Sequence, residues 1–438
     1  MEYRAAIDFF FRQLHRVGII WQYVYETRLA PWLAIWLWVL FWPGYKVLKH
    51  KNIRLVVNMG EGTGQVLPEL DNFVRRSTDR ELAQNNTYIW IRKRNDFSKA
   101  CVPFYRPYFT KAYMSTVLYN LVLPMQLRWR NITVDAGMSG LRWQIPVSGR
   151  YKPAPPWQTY LEALPKADAV RLWREYYARR ARKPQWYPLR KAAGDKLEPD
   201  QTLLDFLGNR TRPLALVHIK ETVMNATARP TDPRTYGPAL KHLQKMGYTL
   251  VFVGRETMPK VFQDLHVKNY AESRLASFKH DLQLFRLASL AITGGSGIAW
   301  IADCLGTPVV YLNSWHLFMP PFQKYCVYVP TLLKDATGNF LTFPEQFVQC
   351  MATPTERGDV FQSASYTPHN ASAEEIEAAL HELLALMKNY QERSELQQQY
   401  ATLGSEGWLE YAEARVSQQF VETHQKLLGM TKKPRHLQ

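Results

Sequence analysis

The sequence predicts an α/β protein built on parallel sheets in two domains, with a basic, apolar helical element ahead of them. Three stretches carry that expectation. The apolar run Leu290-Ala291-Ile292 meets Thr293-Gly294-Gly295-Ser296-Gly297; a helical pattern follows, and Gly306-Thr307-Pro308 leads into Val309–Leu312. That is strand, glycine turn, helix, turn and strand. Ile53–Met59 reads as a strand running into Gly60-Glu61-Gly62-Thr63-Gly64, with Val66, Leu67, Leu70 and Phe73 at helical spacing behind it. Tyr248–Val253 is a third strand, ending at Gly254-Arg255-Glu256.

Composition bounds the classes. A chain of 438 residues is long enough for two domains of ordinary size, each with its own core. Hydrophobic residues at 46% and charged residues at 21% exclude a disordered chain. The excess of 55 Lys+Arg over 38 Asp+Glu, net +17, calls for an anionic partner: nucleic acid, anionic lipid or a phosphorylated substrate. With 14 Trp and 24 Tyr beside that charge, a membrane interface fits better than a nucleic-acid groove. No RNA- or DNA-binding motif is present, so no nucleic acid partner is expected. Cys101, Cys304, Cys326 and Cys350 are widely spaced, without CxxC or a His-Cys cluster. They indicate neither a zinc site nor a disulfide framework, which fits a reducing compartment, and no metal is expected.

Residues 1–50 form the membrane-associating segment. Arg4, Arg12, Arg16 and Arg28 stand among Phe9, Phe10, Phe11, Ile19, Ile20 and Trp21, and Leu29–Trp42 follows without a charge. That run is shorter than the ~20 residues that span a bilayer. It contains Pro31, ends at Pro43-Gly44, and has Lys46, Lys49, His50 and Lys51 close behind. The reading is a peripheral or monotopic element on an anionic inner leaflet; a helix buried in a core is the alternative.

The first α/β domain is expected over residues 51–150. Its second strand, Thr87–Ile91, ends at Arg92-Lys93-Arg94, and the strand-like run Asn131–Val134 precedes a polar turn at Asp135-Ala136-Gly137. Residues 151–210 read as a basic connector. Lys152-Pro153-Ala154-Pro155-Pro156 opens it, a helical piece carries Arg171, Arg174, Arg179, Arg180 and Arg182, and Lys183-Pro184 closes that piece. Proline and charge at this density mark a surface link, not a core. The second domain, residues 211–390, starts with the strand Leu214–Ile219, continues through a helix over Tyr236–Met246, and reaches the glycine turn after a helix from about Asp281 to Leu287. Helices are expected over 372–392 and 404–428, residues 391–438 returning to the first domain and ending in the basic tail Lys432-Lys433-Pro434-Arg435.

The order of a strand ending near His218, a helix, GYTLVFVGRE, a short strand near NYAE, an Asp-led helix and FRLASLAITGGSGIAWIADCLGTPVVYLN resembles the nucleotide-sugar domain of GT-B glycosyltransferases. It is similar to a group of bacterial surface-polysaccharide glycosyltransferases and, more distantly, to the heptosyltransferases. GTGQVLPELDNFVRR resembles that group's first glycine loop, where a His commonly stands at the position of Gln65. Its His-Val-Arg-Asp run corresponds to His218-Ile219-Lys220-Glu221, and the stretch His369–Ile376 also matches. The resemblance implies two Rossmann-like domains facing across a cleft. It also implies metal-independent transfer of a sugar from a nucleotide-sugar, which is substrate and not cofactor, to a glycan or lipid-linked acceptor. In bacterial polysaccharide or lipopolysaccharide synthesis that places the chain at the cytoplasmic face of the inner membrane.

Candidate residues follow. The Gly294, Gly295, Ser296, Gly297 turn brings the N–H groups of a helix start to a diphosphate, with Ser296 capping the helix or donating to a phosphate. Arg255, Lys220 and Arg229 offer positive charge to the leaving group, and Glu272 can accept from a ribose. A base is needed for the acceptor hydroxyl, and the candidates are Glu61 and Asp135. Gly62, Gly64, Gln65, His218, Asn313 and His316 are candidates for contact with acceptor or sugar. Two other classes compete: a nucleotide-sugar epimerase or hydrolase of the same fold, which needs no lipid-side acceptor, and a non-enzymatic membrane-bound assembly protein, which has no use for the glycine turns.

Overall fold

The computed structural model describes residues 39, 41–57, 63–92, 94–125, 132–135, 166–208, 211–220, 231–314, 322–346, 366–403 and 409–429. The chain divides into two compact units, residues 1–173 and 174–438.

In the first unit, α1 (Trp42–His50) leads into β1 (Ile53–Val57), α2 (Thr63–Thr78), β2 (Thr87–Arg92), α3 (Asp96–Tyr105), β3 (Lys111–Met114), α4 (Thr116–Met125) and β4 (Thr133–Asp135). The strands form one parallel sheet in the order β3-β2-β1-β4. β1 is apolar because both its faces are covered: Leu55, Val56 and Val57 are buried, as are Val66, Leu67, Leu70 and Phe73 on α2. Chain order reverses between β1 and β4, where Val57 pairs with Asp135. A crevice for ligands opens at such a reversal, outside the carboxyl ends of the strands.

α1 is amphipathic in an unusual sense. Leu48 is buried, while Val39, Trp42 and Val47 are half or more exposed. Lys46 Nζ sits 5.9 Å from the Trp42 ring centroid, and Lys49 and His50 occupy the last turn. Among the described residues no helix is long and apolar enough to cross a membrane; residues 1–38 and 40, which hold most of the expected membrane element, lie outside them.

The second unit begins within α5 (Lys166–Arg182), followed by α6 (Pro188–Ala193), α7 (Gln201–Leu207), β5 (Leu214–His218), α8 (Gly237–Lys245), β6 (Thr249–Phe252), α9 (Lys260–Asp264) and β7 (Lys268–Asn269). Then come α10 (Phe278–Leu287), β8 (Leu290–Gly294), α11 (Ala299–Leu305), β9 (Val309–Ser314), β10 (Cys326–Pro330), β11 (Leu332–Lys334) and β12 (Thr367–His369). α12 (Ala373–Lys388), α13 (Glu395–Thr402), β13 (Arg415–Val416) and α14 (Gln418–Thr423) complete it. Seven parallel strands run β13-β10-β9-β8-β5-β6-β7, and every residue of β5, β8 and β10 is buried. Counted from β5, that is the order 3-2-1-4-5-6-7 of a doubly wound nucleotide-binding sheet, with its reversal between β5 and β8. One helical layer pairs α8 with α12 and another joins α6, α10 and α11.

Two expectations change. The stretch read as a surface link is partly core: Tyr176, Tyr177 and Arg180 of α5 are buried, as are Leu189, Leu197 and Leu203. Positions 176, 177 and 180 share one helix face, and Arg180 is tied to Asp303 on α11 by a hydrogen-bonded ion pair. Its guanidinium also lies 4.7 Å from the Phe322 ring centroid. A buried arginine is sustained by that pairing and not by solvent. The helix expected over 404–428 is, within the described residues, a 3₁₀ turn at Leu409–Tyr411, the strand β13, the short α14 and a second 3₁₀ turn at Gln425–Leu428. β13 extends the second sheet beside β10, and α14 packs on α12. These segments are built into the second unit because Arg415 and Val416 supply the hydrogen-bonding edge that β10 lacks on that side.

Candidate functional site

The reversal in the second sheet places His218, the last residue of β5, beside Thr293 of β8, with Gly294 and Gly295 immediately beyond. β6 ends one strand away and delivers Gly254, Arg255 and Glu256 to the same sheet end. Three features assemble there.

The first is a carboxylate shared by two basic side chains. Glu256 Oε1 accepts from Lys220 Nζ at 2.9 Å, and Glu256 Oε2 lies 3.3 Å from His218 Nε2. Burial pushes the Glu256 carboxyl up, but the hydrogen bonds and charge of His218 and then Lys220 outweigh it and hold the group well below the ordinary glutamate value. The Lys220 ammonium has three donors and Glu256 takes one, so a held cation with donors to spare stands at the strand end, its side chain one-third exposed.

The second is the approach of these groups around Gly254. Its φ is +121°, and a Cβ there would lie 2.7 Å from His218 Cδ2 and 2.9 Å from Glu256 Oε2. Only glycine lets β6 turn this tightly against the histidine.

The third is the glycine turn. Among the described residues the N–H groups of Gly295, Ser296 and Gly297 make no backbone hydrogen bond. Ser296 Oγ accepts from Ile298 N at 3.2 Å, a local turn bond and not a cap, since the N-cap of α11 is Ile298 and carries no side-chain cap bond, and it stands 3.5 Å from His218 Nε2. A Cβ on Gly294 would lie 3.7 Å from the Lys220 backbone nitrogen, and one on Gly295 3.0 Å from the Asn313 carbonyl oxygen. These amides and the Lys220 ammonium lie at the same sheet end, and both are groups from which an anion accepts hydrogen bonds.

The remaining candidates divide. Arg255 is no free cation: its guanidinium donates to Asp281 Oδ2 at 3.1 Å and to the Gly254 carbonyl at 2.8 Å. Burial holds the Asp281 carboxyl above its ordinary value and Arg255 offsets only part of that, so the arginine serves a carboxylate of α10. Asn313 is fully buried at φ +54°; its Nδ2 donates to Thr231 Oγ1 at 2.7 Å and its Oδ1 accepts from Ala371 N at 2.8 Å. The oxygen ties the end of β9 to the residues just ahead of α12 and the nitrogen ties it to Thr231, so this buried side chain is committed to holding the fold. Glu272 is exposed, accepts from Met258 N at 3.2 Å and from the Asn269 amide, and lies beyond β7, two strands from the reversal. Arg229, His316, Glu61 and Gly62 lie outside the described residues. Gly64 and Gln65 fall in the first turn of α2, and Asp135 ends β4 at the reversal of the first sheet.

Glu256 is the residue the motif reading missed. Its signal was present: it follows the second strand of a nucleotide-binding order, where an acidic residue commonly meets a ribose. Here the carboxylate is turned onto His218 and Lys220.

No family model matches the chain, and no curated protein matches it. Among solved structures it is similar to E. coli ADP-heptose LPS heptosyltransferase II, at 14% identity, covering 77% of this chain and 99% of that one, with a TM-score of 0.43. It is also similar to a glycosyl transferase family 9 protein from Veillonella parvula, at 13% identity over 76% of this chain and 97% of that one, TM-score 0.41. A third similarity is to UDP-GlcNAc 2-epimerase from Neisseria meningitidis bound to UDP-GlcNAc, at 10% identity over 85% and 99% of the two chains, TM-score 0.33. All three scores lie below 0.5, so neither fold nor activity is carried over from them.

Proposed function

We propose that this protein is a membrane-associated glycosyltransferase of GT-B type, moving a sugar from a nucleotide-sugar to a glycan or lipid-linked acceptor in bacterial polysaccharide or lipopolysaccharide synthesis. The observation that carries the reading is the juxtaposition of the unpaired amides of Gly295, Ser296 and Gly297 with Lys220 at the reversal between β5 and β8. That arrangement suits a diphosphate. In the reaction, the bond from the anomeric carbon to the donor phosphate oxygen breaks, the acceptor oxygen bonds to that carbon, and a base takes the hydroxyl proton. Charge accumulates on the departing diphosphate, where Lys220 and the turn amides stabilise it. Glu256 keeps the Lys220 ammonium in place and His218 beside it. Asp135, at the end of β4, and Glu61 are the candidate bases for the acceptor hydroxyl.

The exposed Val39, Trp42 and Val47 of the α1 region, with Lys46 and Lys49 among them, favour a lipid-side acceptor. A nucleotide-sugar epimerase or hydrolase shares the crevice and has no need of that face. Tryptophan and lysine together anchor a segment at the headgroup level, and each cation near an anionic surface adds ~1 kcal/mol. The test is transfer of label from radiolabelled nucleotide-sugars to a lipid extract of bacterial membranes. Label in the lipid phase that depends on Lys220 supports the transferase; conversion or hydrolysis of the free nucleotide-sugar without transfer supports the epimerase or hydrolase instead.

A further inference from the structure

α12 carries Glu377 and His381 four residues apart, hence on one face, and α8, packed beside it, carries His242. His242 Nδ1 lies 3.4 Å from His381 Nε2, with ring centroids 4.4 Å apart and planes crossing at 67°. One ligand atom from each of the three residues falls within 4.8 Å of the other two. A hydrogen bond between the imidazoles would be at its long limit and would give Glu377 no part. A metal ion between them would engage all three. Two nitrogens bound to one zinc at 2.0–2.1 Å and near the tetrahedral angle stand about 3.3 Å apart.

We propose that His242, Glu377 and His381 form a divalent transition-metal site that takes Zn²⁺ and ties α8 to α12. The donor set favours a transition metal such as zinc, since two imidazoles suit it whereas magnesium and calcium require oxygen ligands. His381 is exposed, so water reaches the fourth position. None of the three residues belongs to the crevice at the strand ends, and the site acts as a clip within the helical layer. Cysteine and histidine spacing gave no hint of it, because His242 and His381 are 139 residues apart.

The test uses the untagged full chain, freed of metal with EDTA, titrated with ZnCl₂ by calorimetry and followed by thermal unfolding. Uptake of one equivalent is expected, with Tm raised by roughly 5–10 °C at about a hundredfold excess over the dissociation constant. Co²⁺ in place of zinc should give visible bands of four-coordinate intensity, and Mg²⁺ should leave Tm unchanged. His381→Ala should abolish the uptake, and Glu377→Gln should weaken it about tenfold or more. Absence of zinc uptake by the parent chain, or uptake undiminished in both variants, would overturn the proposal.

Discussion

Lys220 Nζ stands 2.9 Å from Glu256 Oε1, while the other oxygen of the same carboxylate lies 3.3 Å from His218 Nε2. One acidic side chain from the end of β6 thus holds two basic side chains from the end of β5 at the reversal of the sheet. Their positions relative to the glycine turn depend on it.

That carboxylate makes stability depend on pH. Glu256 is held below the ordinary glutamate value of 4.5 because the contacts with His218 and Lys220 outweigh its burial. A carboxyl held low binds fewer protons when folded than when unfolded. Its contribution is therefore complete above the ordinary value and fades as pH falls through the depressed one. Glu256→Gln should lower Tm at neutral pH, and the gap between variant and parent should narrow as the solution is acidified below 4.5. A gap that stays constant across that range would contradict the role given to the carboxylate.

Gly254→Ala should destabilise the second unit by roughly 1–3 kcal/mol, since φ is +121° and the added Cβ would press on His218 and Glu256. Urea unfolding measures the loss. The same change should weaken nucleoside diphosphate binding, because the groups displaced are those that hold Lys220.

Much of the second sheet was legible because its strands are buried on both faces and so read as apolar runs bounded by glycine: Leu214–His218, Thr249–Phe252 and Leu290–Gly294 lie within or beside the predicted strands. The strand at Lys111–Met114 was not, since it is part-exposed and carries no such run. The glycine turn was legible from its own residues. The roles of the charged ones were not: Glu256 meets Lys220 across 36 residues, and Arg255 meets Asp281 across 26. Arg180 is the extreme case, because five arginines in one basic stretch look alike until the fold buries one of them against a carboxylate 123 residues on.

Arg180→Ala should therefore be far more harmful than Arg182→Ala. Removing one partner of a buried pair leaves the other charge uncompensated, at a cost of about 3–5 kcal/mol, although Asp303 keeps its hydrogen bonds from the Phe322 and Gln323 amides. Arg182 is exposed and its loss should change stability by less than about 0.5 kcal/mol. Equal effects of the two in chemical denaturation would contradict the assignment of this helix face to the core.

The most direct measurement of the central claim is calorimetric titration of the parent chain and of Lys220→Ala with UDP, GDP, dTDP, ADP and CMP. Binding of one nucleoside diphosphate, weakened about ten- to hundredfold by loss of the charged donor, is the predicted result. Absence of binding by the parent, or equal binding by parent and variant, would contradict a diphosphate site at the β5–β8 reversal.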